Sequence, residues 1–248
     1  MKMAMNSVIL KLSIVVVLTA RLGTAQTNEV LPTADEVVAR MIQLDARRQT
    51  QLQGYTATRH YVAFNKQRRA EMLVRITCTK DGVKEFATLS EEGSRWIRKH
   101  VLYKMLKEEA EASRRDARSS TRIIPANYDF QGAGQDIIDG RSAYVLSLIP
   151  KAENKYLIAG KIWVDATDYS IVRIEGRPTR NPSFWTRNVH FVHTYEKVGP
   201  FWFAASTHSV SEIRIFGPAE LTIENSEYAL NPPDHAADDR NHEARLSQ

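Results

Sequence analysis

The chain has 248 residues, with 34 Lys and Arg against 29 Asp and Glu, a formal net charge of +5, and a single cysteine, Cys78. One cysteine rules out an intramolecular disulfide and leaves no paired thiolates for a structural zinc site. Three of the positive charges (Lys2, Lys11, Arg21) and none of the negative ones fall in residues 1–25, so the charge drops from +5 to +2 without them. That balance gives no clustered basic face, and no nucleic acid partner is expected.

Residues 1–25 have the order of a signal peptide: a basic start, the apolar run Leu12 to Ala20, and small residues at Gly23 and Ala25. The apolar run is too short to span a bilayer as a helix. Cleavage is expected after Ala25, giving an exported chain with no transmembrane span, and no cysteine follows that would receive a lipid anchor. Residues 26–32 read as a tether.

At Thr33-Ala34-Asp35-Glu36 the spacing predicts a capping box. The helix it starts carries Val37, Val38, Met41, Ile42 and Leu44 on one stripe and needs a surface to cover. From Gly54 the period changes to two. Across Arg69 to Thr79, Ala70, Met72, Val74, Ile76 and Cys78 alternate with polar residues, Leu73 being the exception, which predicts an antiparallel strand wet on one face. Tyr55–Phe64 and Val83–Leu89 are its expected neighbours, with turns at Asn65-Lys66-Gln67 and Lys80-Asp81-Gly82.

A second helix is predicted over Trp96–Ala117, with Ile97, Val101, Leu102, Met105 and Leu106 stacked on it and mixed charge elsewhere. Beyond Pro125 the chain reads as strand almost throughout: Tyr128–Phe130, Ala143–Ile149, Leu157–Val164, Ile171–Ile174, Trp185–Val198, Phe201–Ile215 and Leu221–Leu230. Turns are expected at Asp139-Gly140, Asp165–Asp168, Val198-Gly199-Pro200 and Phe216-Gly217-Pro218. Residues 231–248 are polar and led by proline, which predicts a disordered tail. Residues 33–230 are therefore one α+β domain, mainly antiparallel β. A strongly twisted sheet of this many strands curls, so the expected product is a half-open barrel with both helices on its concave face.

Catalytic patterns are missing. His190 and His193 lie three apart on a strand, where they point to opposite faces, so metal binding is not expected. Cys78 sits on an apolar strand face, Gly132-Ala133-Gly134 lacks the third glycine and the helix of a phosphate loop, and Asp165 and Asp168 suit a turn. No enzyme activity and no cofactor are expected. The aromatic residues Phe184-Trp185, Phe191, Tyr195 and Phe201-Trp202-Phe203 read either as core or as the lining of an apolar cleft.

Several stretches together carry a resemblance: Gly160-Lys161-Ile162-Trp163-Val164-Asp165, Asp168 to Gly176, Pro182-Ser183-Phe184-Trp185, Gly199-Pro200-Phe201-Trp202 and Ser211 to Gly217. The chain resembles the outer-membrane lipoprotein-sorting proteins, which share the fold of the LolA and LolB carriers. The likeness follows element order from Val37 to Leu230 and is sharp only over Gly160–Gly217. It implies a curved antiparallel sheet and helices around a cavity that takes acyl chains in the periplasm. It brings no catalytic motif, and it assigns the carriers' lid-gating arginine to no particular position here.

On this resemblance the expected ligands are lipids or lipoprotein acyl chains. The expected cleft is lined by Val37, Met41, Val101, Met105, Trp163, Trp185 and Trp202. The same architecture serves a periplasmic stress sensor that controls an anti-sigma factor. The alternative is therefore a regulatory module whose charged helix, Arg95 to Arg118, docks a membrane-protein partner.

Overall fold

The computed structural model describes residues 31–114, 121–181, 186–214 and 217–230. The signal peptide, the tail and Trp185 lie outside the described residues. Helix α1 (Ala34–Gln51) begins at the expected box: Glu36 N donates to Thr33 Oγ1 (3.3 Å) and Thr33 N donates to Glu36 Oε2 (2.8 Å). Three strands follow, β1 (Gly54–Asn65), β2 (Arg69–Thr79) and β3 (Lys84–Gly93). Then come α2 (Arg95–Ile97), a π-helical turn (Arg98–Leu102) and α3 (Tyr103–Ala112), which form one continuous helical segment. Seven strands complete the domain: β4 (Tyr128–Ile138), β5 (Arg141–Pro150), β6 (Ile158–Asp165), β7 (Ile171–Pro178), β8 (Thr186–Val198), β9 (Phe201–Ile213) and β10 (Gly217–Leu230).

All ten strands form one open antiparallel sheet in the order β3-β2-β1-β10-β9-β8-β7-β6-β5-β4. Because β10 returns to pair with β1, the first and last strands of the domain meet in mid-sheet, and β3 and β4 are the edges. In β2 every second residue from Ala70 to Cys78 is buried, as the alternation predicts. The edges are protected differently. Strand β3 is largely exposed and carries Glu85, Glu91 and Glu92, while β4 is interrupted by a bulge between Gly132 and Gly134, the latter at φ +107°. That polar, glycine-containing edge is why the sequence reads as strand only to Phe130 although β4 runs to Ile138.

Register decides where the helices sit. Residues directly opposed across a sheet share a face. Tyr61 opposes Ile223, Ile223 opposes Thr207, and Thr207 opposes His193; His193 in turn opposes Ile174, which opposes Ile162, which opposes Leu146. Helix α1 buries Val37, Val38 and Met41 against Leu146, Ile162 and Ile174 at one end of this row. The second helical segment buries Ile97, Leu102 and Leu106 against Tyr61 and Met72 at the other. Both helices therefore lie on the same face of the sheet. Its opposite face carries a smaller cluster of Ala143, Val145, Trp163 and Val172, joined by Trp202.

The close approach of β6 and β7 explains two glycines of the family-like stretch. Gly160 and Gly176 are directly opposed, and a Cβ on Gly160 would lie 2.0 Å from the Glu175 carbonyl oxygen, so the strands have no room for a side chain there.

Candidate functional site: a cleft between the second helical segment and the sheet

The buried positions of the second helical segment are spaced unevenly, Ile97 to Leu102 by five and Leu102 to Leu106 by four. A regular α-helix would rotate residues five apart by about 140°. The π turn at Arg98–Leu102 absorbs the extra residue and keeps all three on the sheet. Val101 and Met105 pack half-buried at the edge of this cluster, and both line a cleft of about 880 Å³. Its floor is made of small side chains from three neighbouring strands: Ala63 of β1, Ser209 and Ser211 of β9, and Ala219 of β10, with Leu221 among them. Because these residues are short, the helix stands over empty space. The volume falls within the range of small-molecule sites, and the surface lining the cleft is mainly apolar, with charged side chains along one wall.

One wall of the cleft is charged. Lys99, His100, Lys104 and Lys107 come from the helical segment, together with Glu108, while Glu220 comes from β10. Trp96 and Tyr103, each 42% exposed, also line it. The indole of Trp96 stacks on the His100 ring with centroids 5.1 Å apart.

A buried charged cluster pins the helical segment to the sheet. Arg59, 7% exposed, sits on the helix-bearing face of β1. Its Nε donates to Asn225 Oδ1 (2.6 Å), and its Nη1 donates to Tyr61 Oη (3.0 Å) and to Glu109 Oε2 (2.6 Å). Lys84 Nζ donates to the other Glu109 oxygen (2.7 Å). Burial pushes the Glu109 carboxyl up, but the Lys84 and Arg59 charges and their hydrogen bonds outweigh it and hold the pKa at about 2. Further along the sheet, His193 bonds the Thr207 hydroxyl through Nδ1. Burial, and then the positive charges of Arg59 and Lys84, lower its pKa to about 4, so the imidazole is neutral at pH 7.

A smaller cleft of about 300 Å³ lies at the other end of this face, against α1, lined by Met41, Ile42, Tyr169, Tyr195, Phe201 and Trp202. Arg48 closes part of it by donating from Nη1 to the Asp168 carbonyl oxygen (2.9 Å).

The residues expected from sequence to line a cleft are thus distributed over several places. Val101 and Met105 come together in the large cleft. Met41 and Trp202 line the small one, and Val37 is packed in the core under α1. Trp163 lies on the opposite face, where its Nε1 donates to Asp136 Oδ2 (2.9 Å) and Arg173 stacks over its ring. Asp165 and Asp168 organise their turn as expected: Asp165 Oδ1 accepts from the backbone N–H of Thr167 (2.9 Å) and Asp168 (2.7 Å), and Arg141 Nε bonds its other oxygen (2.6 Å). Among the described residues no group of three or more His, Cys, Asp or Glu could hold a metal ion. No helix among them is long and apolar enough to cross a membrane.

No protein-family model matches the chain, and no curated protein does. Solved structures similar to it include a DUF1329 family protein from Desulfovibrio piger, at 11% identity and TM-score 0.43, covering 84% of this chain and 99% of that one. An outer membrane lipoprotein-sorting protein domain from Vibrio parahaemolyticus aligns at 13% identity and TM-score 0.41, covering 83% and 96%. A LolA superfamily protein from Nitrosomonas europaea aligns at 9% identity and TM-score 0.38, covering 82% and 95%. The neighbours therefore include the proteins that the sequence resembles. The likeness is one of fold, and function has to be argued from the cleft.

Proposed function

We propose that the protein is a non-catalytic periplasmic carrier that binds a lipid, or the acyl part of a lipoprotein, in the large cleft. The observation that supports this reading is the cleft of about 880 Å³ held open between Val101 and Met105 of the helical segment and a floor of Ala63, Leu221 and short strand residues. The cleft is open to water, and the apolar surface it exposes is unfavourable there until something apolar covers it. Methionine suits chains of variable shape, because its unbranched thioether adapts to its neighbours. In this reading residues 1–25 export the chain, and the helix-bearing face is the concave side of a half-open barrel with both helices as its cover. A docking role for the charged helix is less favoured, because its acids Glu108 and Glu109 are already matched, by Lys155 (3.2 Å) and by Arg59 and Lys84, and the lysines left over, Lys99 and Lys104, line the cleft.

The test is isolation of the protein from its own host without detergent, followed by mass spectrometry of what co-purifies and by titration of the stripped protein with a fluorescent acyl-chain probe. Stoichiometric lipid or lipidated protein, and saturable uptake of one probe per chain, are expected. A protein that comes out empty and takes up no probe overturns the reading.

A further inference from the structure

The mouth of the large cleft has a property that a purely apolar cargo does not require. Lys99 and Lys104 line it, and among the described residues neither forms an ion pair. Lys107, also in the lining, meets only Glu111, at 3.9 Å and with both side chains largely exposed. Of the two acids in the lining, Glu108 holds Lys155 at 3.2 Å, while Glu220 has only the exposed imidazole of His208, at 4.0 Å, so the lining sets its lysines Lys99, Lys104 and Lys107 against one carboxylate that lacks a lysine or arginine partner. The surplus charge at the mouth is therefore positive. These lysines are exposed, so their mutual repulsion is small in water, and an anion at the mouth turns the same field into attraction.

The helix geometry gathers these cations. Lys99 and Lys104 are five residues apart and would diverge by about 140° on a regular α-helix. The π turn at Arg98–Leu102 lies between them, and the slip that keeps Ile97 and Leu102 on the sheet also puts both lysines on the cleft. Trp96 and Tyr103 sit beside them with apolar rings and polar edges, the side-chain type that suits the boundary between a hydrocarbon tail and a wet head group.

We propose that the ligand of this cleft is an anionic amphiphile, its tail lying between Val101, Met105 and Leu221 and its carboxylate or phosphate head held at the mouth by Lys99 and Lys104. This inference rests on the reading of the cleft as an acyl-chain site and adds the charge of the head group.

The two readings separate in one experiment on the full chain, stripped of lipid, with oleate, dodecyl phosphate and neutral oleyl alcohol as probes and inorganic phosphate as the tail-less control. At low salt the wild type is expected to bind both anionic probes roughly five- to tenfold more tightly than the alcohol, the range given by two exposed charge contacts. The preference shrinks as ionic strength rises, and inorganic phosphate does not compete. The double variant Lys99→Gln, Lys104→Gln loses the preference and keeps the alcohol affinity. Equal binding of anionic and neutral probes by the wild type, or a preference that survives in the double variant, overturns the head-group assignment and leaves the acyl-chain site standing. Competition by inorganic phosphate makes the lysines a free-anion site and overturns the amphiphile. Failure of every tailed probe to bind overturns both readings together.

Discussion

The two helices cover the same face of one sheet and are held there by different physics. Under most of α1 the space is filled: Val37, Val38 and Met41 meet Leu146, Leu148, Ile162 and Val164, all nearly inaccessible to solvent, while the helix's polar contacts, Arg48 with the Asp168 carbonyl and Asp45 with Arg122, lie towards its C-terminal end beside the small cleft. Under the second helical segment only one stripe is filled, by Ile97, Leu102 and Leu106; the rest is cleft, and the segment is pinned by Arg59, Glu109 and Lys84. Apolar contact is roughly proportional to area and has no preferred position, so it fixes a helix only by filling space. A bidentate ion cluster fixes a helix at a few atoms and leaves the neighbouring space free. A helix that must border a binding space has reason to be held in the second way.

Removing the pin should have the largest effect. In Glu109→Gln the Arg59 guanidinium stays buried without its counter-charge, and loss of one partner of such a pair costs about 3–5 kcal/mol. Denaturant midpoints at pH 7 are the measurement. A loss below about 1 kcal/mol would show that water reaches Arg59 and that the cluster does not hold the helix. The matching change on the other side is Leu146→Ala. Leu146 is 2% exposed in the α1 core, and the loss is expected at about 2–5 kcal/mol, with no effect on probe uptake in the distant cleft.

Acid should weaken the pinned side in two stages. The folded chain refuses a proton on His193 until about pH 4, whereas the unfolded imidazole takes one near 6.5. Stability is therefore full above pH 6.5 and falls between 6.5 and 4. Glu109 is protonated near 4.5 when unfolded and near 2 when folded, so its contribution is complete above 4.5 and is lost as pH falls from there towards 2. Asp165 and Asp168 are also held below their ordinary value, by Arg141 and Lys197 against the opposing effect of burial, and they share the lower window. The Glu109 share is the difference between wild type and Glu109→Gln, which should be smaller at pH 3 than at pH 6. Parallel curves would show that Glu109 titrates normally.

The α1 side was legible in sequence because its signals are local. The capping box and the apolar stripe lie within the twelve residues from Thr33 to Leu44, and the β2 alternation within the eleven from Arg69 to Thr79. Both survive in the structure unchanged. The pinned side was not legible. Arg59, Lys84 and Glu109 sit on two strands and a helix and meet only through tertiary packing. The π turn rests on a single extra residue between two apolar positions, a slip that a helical stripe tolerates on paper. The cleft is made by what is small at Ala63, Ser209 and Ala219, and three short side chains far apart in sequence give no motif. Period two puts a tryptophan on one face of a strand without saying which face the helices cover, and Trp163 packs on the face opposite them.

The smallest expected effect on stability belongs to the change that should matter most for binding. Ser209 is opposed to Leu221 on one side and Phe191 on the other, and it borders the open cleft. A core position would reject Ser209→Phe, because overpacking typically costs about 1–3 kcal/mol. Here the ring has somewhere to go: it buries apolar surface against Val101 and Met105 in space that is otherwise empty. The melting temperature should therefore hold or rise slightly, while uptake of the acyl-chain probe falls at least tenfold, a change of about 1.4 kcal/mol in binding. Unchanged uptake with unchanged melting would place the ligand outside this cleft, and the smaller one beside α1 would then be the next to fill.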